Sequence, residues 1–208
     1  MSIPPTAPTP DPGPRSGPGD LPPELARRLE EVIARGEAAW DRLHDSTNER
    51  YHDLVLSDHR EAIPWLRRLH APGARLVELG AGVGLMTIVA DLLGYEAVGI
   101  EIEPELVDNA IELAESCGSA ATFVEGSFVP PDSRDDVELM VSGSLTITEG
   151  SDAWAELGLE MDDFDVVSCY PWPDEEEWLL ELVRRHAAPH AALLTYSGRN
   201  GYRVERFG

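Results

Sequence analysis

The chain contains no lysine: all 16 of its basic side chains are arginine, set against 39 acids, for a formal net charge of -23 over 208 residues. A field of that sign repels polyanions, which argues against a broad nucleic-acid-binding face unless arginines cluster, while cationic molecules are drawn in. It is also an ordinary source of solubility and by itself defines no site. Cysteine is nearly absent as well. Cys117 and Cys169 lie far apart and share no zinc-ligand spacing with a histidine pair. That excludes a disulfide framework and predicts reduced thiols and no metal. Long apolar runs are missing: none approaches the ~20 residues of a membrane span. The first residues, MSIPPTAPTP, show neither a basic start nor an apolar signal segment, so a cytoplasmic protein with no membrane contact is expected.

This length suits one domain with a substantial core. Residues 1–19 hold seven prolines and almost nothing apolar, a composition that predicts a disordered tail. Residues 20–71 read as an N-terminal helical cap. Asp20 can cap a helix in which Leu25, Leu29, Val32, Ile33, Trp40 and Leu43 recur at helical spacing. A second helix starts at Ser57–Asp58, with Glu61 completing a capping box and a break expected at Pro64.

Residues 72–208 alternate between strand and helix. RLVEL, AVGIE, ATFVE, FDVVSCY and AALLTYS read as strands, and LMTIVADLL, PELVDNAIELAESC and EEEWLLELVRRHA as helices, the last opened by an Asp174–Glu177 capping box. YRVERF, after a Gly-rich turn, reads as one closing antiparallel strand. The expected class is therefore α/β, a Rossmann-like parallel sheet with helices on both faces. An insert at about 129–163 is longer than a connection requires, and its VELMVSGSLTIT is apolar enough for a strand or hairpin. It either shapes a substrate site or forms a peripheral flap.

In an open parallel sheet the ligand sits at the carboxyl ends of the strands, beside the first. That places Gly80, Ala81, Gly82 and Gly84 of VELGAGVG over the ligand, where glycines let the backbone turn tightly and approach it. Glu101 ends the second strand, where a carboxylate can accept hydrogen bonds from both hydroxyls of a ribose. A dinucleotide fingerprint needs glycine at position 85, and this chain has Leu85. Glu78 brings negative charge to the loop, which repels a pyrophosphate and tolerates the ammonium and sulfonium of S-adenosylmethionine.

These residues resemble the class I S-adenosylmethionine-dependent methyltransferases. VELGAGVG is similar to the family's first motif and AVGIEIEPELV to its second, and the resemblance covers Arg75 to about Ser197. It implies S-adenosylmethionine as cofactor, with Glu78 and the Gly80–Gly84 backbone around its methionine part, Glu101 on the ribose and Ile102 against one adenine face. The family's third strand usually ends in an acid that reaches the adenine amino group. Here Ser127 holds that place, with Asp152 as the rival and Ser127 preferred because its strand follows the helix after a short connection. Phe128 either covers the adenine or packs in the core.

SCYPWPDEEEW resembles the fourth motif, where acceptors dock, without the Asn-Pro-Pro-Tyr pattern of enzymes that methylate nucleic-acid amino groups. Tyr170, Pro171 and Trp172 are the candidate acceptor residues, suited to stacking or cation–π contact with an amine, the alternative for Trp172 being packing on the insert. Asp174 to Glu177 read as helix-start charges. Arg60 either reaches the cofactor carboxylate or is solvated, and His52 or His59 is a weak candidate base. The resemblance thus implies a methyltransferase acting on a small-molecule or protein side-chain acceptor, with no catalytic residue assigned. The alternatives are a non-catalytic binding or scaffold module of the same fold and, further off, an NAD-dependent oxidoreductase.

Overall fold

A computed structural model describes residues 21–44, 55–140, 146 and 149–207. The expected tail at 1–19, the Asp20 cap and His52 lie outside the described residues, as do 141–145 and 147–148 of the insert. Two helices open the described chain, α1 (Pro23–His44) and α2 (His59–Leu69), followed by β1 (Arg75–Leu79), α3 (Leu85–Leu92), β2 (Glu96–Glu101), α4 (Pro104–Cys117) and β3 (Thr122–Glu125). Then come α5 (Arg134–Met140), α6 (Ala153–Leu157), β4 (Val166–Cys169), α7 (Glu176–His186), β5 (Ala192–Ser197) and β6 (Gly201–Arg206).

The strands form one sheet in the order β3-β2-β1-β4-β5-β6, parallel except for the antiparallel pair β5–β6. The order reverses between β1 and β4, which opens a crevice at their carboxyl ends. Alternation along each strand divides the core in two. Leu76, Val166 and Leu194 face one layer with α1, α2, α3 and α4, while Val77, Leu79, Val167 and Leu193 face the other with Trp154 of α6 and Trp178 of α7. Among the described residues, no helix is long and apolar enough to cross a membrane.

The apolar stripe predicted for α1 is the face it buries: Leu29, Val32, Ile33, Trp40 and Leu43 join the core that holds Leu76 and Leu85. Two arginines fix its direction. Arg28 donates to the carbonyls of Cys117 and Gly118 (3.0 and 2.9 Å), and Arg35 donates to that of Ser116 (3.0 Å). Both cations thus cap the carboxyl end of α4, where the helix dipole is negative.

Three local expectations are corrected. Pro64 does not break α2, which runs on to Leu69 with Ile63, Trp65 and Leu66 buried. The missing proline N–H costs one bond, and this apolar face outweighs it. Asp174 and Glu177 form no capping box. Asp174 adopts a left-handed conformation (φ 71) and α7 starts at Glu176 with no side-chain cap, because Glu175 N donates to the Trp172 carbonyl and closes a turn first. The insert's Val137–Met140 is helical rather than extended. The turn at Pro131–Ser133 leads into α5, acids occupy its first turn, and Asp136 pairs with Arg185 of α7 at 2.8 Å.

Gly84 tests how closely α3, α4 and β3 meet. A Cβ there would lie 2.5 Å from the Phe123 ring and 2.7 Å from Ala110 Cβ, on a backbone with φ 76. Gly84→Ala is expected to destabilise the protein by about 2–4 kcal/mol, from overpacking plus left-handed strain, and urea unfolding checks this.

Candidate functional site

At the carboxyl end of β1 the chain turns through Gly80 and Gly82, both left-handed (φ 75 and 54), and a Cβ at either position would meet nothing within 4 Å. The amides of Gly80 and Ala81 both donate to the Ile100 carbonyl (2.9 Å each), tying the loop to β2. Ala81 is buried, and a Cβ on Gly99 would lie 2.8 Å from its methyl, so only its backbone faces the crevice. Leu85 is buried beneath α1, where a Cβ on Gly36 would lie 2.7 Å from it. The position that a dinucleotide fold keeps as glycine for close helix–strand packing is therefore spent here on seating the cap helix.

Glu101 closes the loop from the other side. Its Oε2 accepts from Gly82 N at 2.7 Å, and its Oε1 accepts from Ile102 N (2.8 Å) and Glu103 N (3.1 Å). Burial raises its pKa and these three bonds oppose that shift. A carboxylate has about four acceptor positions, so one remains beside Gly82. Glu78, one strand over, uses Oε2 to accept from Thr87 N (3.0 Å) and Thr87 Oγ1 (2.5 Å). Burial pushes its carboxyl up to about 8 against those two bonds, and the nearby Glu101 adds to the rise. Glu78 therefore carries less negative charge near neutrality in the free protein than its place in the sequence suggests, and Leu85 in place of glycine is the chain's departure from a dinucleotide pattern. Thr87 escaped sequence reasoning because no motif marks it.

Beyond Glu101, Ile102 lies against the strap at Gly150, where a Cβ would come within 3.0 Å of its side chain. Ser127 and Asp152, the rival candidates for the adenine edge, are partners in one parallel β-bridge, and Ser127 N donates to the Ser151 carbonyl at 2.8 Å. Asp152 Oδ1 is occupied in capping α6, accepting from Trp154 N and Ala155 N. Ser127 is buried, and its Oγ accepts from Val129 N (3.2 Å), which leaves its O–H free to donate. Phe128 is half-buried and packs against the core, its ring parallel to that of Trp178 with centroids 6.3 Å apart.

At the tip of β4, Tyr170 is 37 % exposed, Pro171 is buried and Trp172 is half-buried. Glu175 is not a solvated helix-start charge. It is 4 % exposed and accepts from both Thr146 N and Thr146 Oγ1, which ties the insert to the base of this loop. Arg60 is an exposed helix-face arginine, as its solvated alternative has it, and is paired with Glu30 (2.9 Å) and Glu37 (2.6 Å) of α1. His59 is buried and burial lowers its pKa to about 4, which makes it a neutral, poor base. Among the described residues, no group of three His, Cys, Asp or Glu side chains could hold a metal ion.

Curated relatives share this chain's sequence over part of its length. A ribosomal protein L11 methyltransferase of Thermus thermophilus is 37% identical over 68 residues, 33% of this chain and 27% of that protein. The protein of the same name from Cupriavidus taiwanensis is 36% identical over 90 residues, 42% of this chain and 29% of that protein. In sequence and in fold the chain resembles the class I S-adenosylmethionine-dependent methyltransferases. It spans under a third of the length of those methyltransferases. No protein-family profile matches it. Among solved structures, an RNA methyltransferase from Salinibacter ruber in complex with S-adenosyl-L-homocysteine superimposes with a TM-score of 0.49. It has 21% identity and covers 74% of this chain and 92% of its own.

The raised Glu78 carboxyl gives a test of the methyltransferase-like loop. The folded chain keeps this proton between about 4.5 and about 8 while the unfolded chain loses it, so stability falls as pH rises through that window. Urea unfolding from pH 6.5 to 8 should show that fall, because between about 4 and 6.5 the buried neutral His59 makes stability rise with pH and offsets it. Glu78→Gln should flatten it by up to about 1.4 kcal/mol per pH unit, the most that one proton contributes.

Proposed function

We propose that this protein is an S-adenosylmethionine-dependent methyltransferase acting on a small-molecule or protein side-chain acceptor. One observation carries the reading: the acid at the tip of β2 bonds directly to the glycine loop at the tip of β1, Glu101 Oε2 to Gly82 N at 2.7 Å. The donor set suits the cofactor. The remaining acceptor position on Glu101 fits a ribose hydroxyl, and the bare backbone at Gly80 and Gly82 leaves room for the methionine part. Glu78 offers its unbonded oxygen to a cationic group, and Ile102 with the Gly150 strap offers an apolar edge to adenine. When bound, the cofactor supplies a methyl carbon already activated by its sulfonium. The chain's own task is to align an uncharged acceptor with that carbon and exclude water, which needs no dedicated base. That accounts for a defined cofactor crevice beside a histidine unfit for proton transfer.

The named acceptor of the relatives supports a protein substrate, while the matched stretches are too short to bring ribosomal protein L11 itself to this chain. A cytoplasmic setting belongs to the same proposal. Calorimetry tests the cofactor: S-adenosylhomocysteine should bind at micromolar levels and NAD should not, and the reverse order overturns the reading. Glu101→Gln should weaken S-adenosylhomocysteine by roughly 1.5–3 kcal/mol, the scale of a hydrogen bond to a charged group. Unchanged affinity removes the ribose role. Binding a cation beside Glu78 should also expel its proton, so affinity should rise with pH between 6 and 8 in the native protein and stay level in Glu78→Gln. Label transfer from the cofactor into an extract lacking this protein separates an enzyme from a binding module of the same fold.

A further inference from the structure

Three tyrosines form a row across the carboxyl edge of the sheet, starting beside the glycine loop. Strand register sets it out: Leu79 pairs with Cys169 and Cys169 with Thr195, so Gly80, Tyr170 and Tyr196 stand next to one another, and Tyr196 pairs with Tyr202 of β6. The rings touch in sequence. Tyr170 meets Tyr196 edge to face, with centroids 4.9 Å apart at 87°, and Tyr196 meets Tyr202 at 4.7 Å and 51°. The row is held at its inner end, where Tyr202 Oη donates to Ser57 Oγ at 2.9 Å and His59 Nε2 lies 3.5 Å further on. It is open at its outer end, where Tyr170 is 37 % exposed and its hydroxyl lies over the turn at Gly198. Tyr196 between them is half-buried.

Aromatic faces carry negative charge density and ring edges positive, so a cation is drawn to the ring faces that the row leaves uncovered on its exposed side. A carboxylate deepens the potential: burial raises the pKa of the Tyr202 phenol, and Asp58, which precedes α2 at the inner end, adds to that rise. The one arginine at the start of α2, Arg60, is neutralised by Glu30 and Glu37. Arg203 alternates to the opposite face of β6 from Tyr202. A net charge of -23 supplies the long-range part of the same attraction.

We propose that Tyr170 and Tyr196 form a binding site for the alkylated ammonium group of a small amine, with Tyr202 and Ser57 as positioning residues that fix the tyrosine rings. Identifying the molecule that carries this group with the methyl acceptor rests on the methyltransferase reading, since Tyr170 follows the strand paired with β1; the methyl group would then go to an uncharged atom elsewhere in that molecule, because an ammonium nitrogen has no lone pair to give. The binding itself does not rest on that reading. The probe is tetramethylammonium chloride, titrated at constant ionic strength and followed by saturation-transfer NMR. Its neutral counterpart of similar shape, tert-butanol, and the neutral ring compound benzyl alcohol serve as comparisons.

Tetramethylammonium should bind in the millimolar range and both neutral compounds distinctly more weakly. Tyr170→Ala and Tyr196→Ala should each lower its affinity about five-fold, whereas Tyr170→Phe, which keeps the ring, should bind as the native protein does. Equal binding of tert-butanol, preferred binding of benzyl alcohol, or full affinity in Tyr170→Ala overturns the proposal. Tyr170 is exposed and its truncation leaves the core intact, and circular dichroism confirms that each variant is folded. S-adenosylhomocysteine is titrated on the same samples. If it fails to bind while the ammonium ion binds, the cofactor reading falls and the cation site stands. If it binds unchanged while the ammonium ion does not, the reverse holds.

Discussion

The site depends on one buried carboxylate. Glu101 takes amides from two loops at once, Gly82 from the β1–α3 turn and Ile102 and Glu103 from the β2–α4 turn. A buried backbone N–H must find a partner, and a buried carboxylate is tolerated only when it is well solvated by donors. Each group solves the other's problem, and the outcome is a fixed geometry between the two strand tips. The loop needs left-handed backbone at Gly80 and Gly82 to deliver the Gly82 amide to that oxygen, so the glycines and the acid form one device.

The cap helix is the second constraint, and it reaches the same loop from above. α1 crosses α3 at Gly36, close enough that Leu85 fills the space a side chain would have occupied. Arg28 and Arg35 hold α1 to the far end of α4, so the helix is gripped at one end by carbonyls and along its length by apolar packing. Since Leu85 opens α3 directly after the loop, packing of the cap decides what can lie over the first turn of that helix. A glycine there, as in a dinucleotide pattern, would leave the space under α1 unfilled. Glu78 in turn carries less negative charge near neutrality than its position suggests.

The sheet was legible in the sequence because each parallel strand is a short apolar run followed by a helix at a different periodicity, and buried strands and amphipathic helices leave distinct patterns. Gly80, Gly82 and Glu101 were legible for a related reason: their roles follow from backbone needs that few residues meet. The misreadings share a cause, which is that tertiary contacts set the outcome. Pro64 looks like a helix breaker until the burial of Ile63, Trp65 and Leu66 is known. Val137–Met140 has strand-like composition and becomes helical between a proline turn and an ion pair to α7. Glu175 looks like one of four solvated acids and turns inward to Thr146. Thr87, Ser57 and Tyr202 carry no local signature, because their partners are distant in sequence.

The two faces of the sheet end differently at the crevice, and this gives the site a direction. On one face Phe128 stacks on Trp178, and Trp154 donates its indole N–H to the Phe128 carbonyl, so that side is closed by packed rings whose polar group is engaged within the protein. On the other face Glu78, Tyr196 and Tyr202 follow one another across β1, β5 and β6, and the aromatic row ends in the exposed ring of Tyr170. The tip of β1 is thus bordered by close packing on the α6–α7 side and, at the tip of β4, by the exposed ring of Tyr170. The segment before α2 bonds to the last strand through Ser57 and Tyr202, so the chain's N-terminal helices and its C-terminal hairpin meet there. The glycine loop and the β2 acid are thus bordered by elements that neither motif specifies, which is why the two motifs say nothing of what surrounds them.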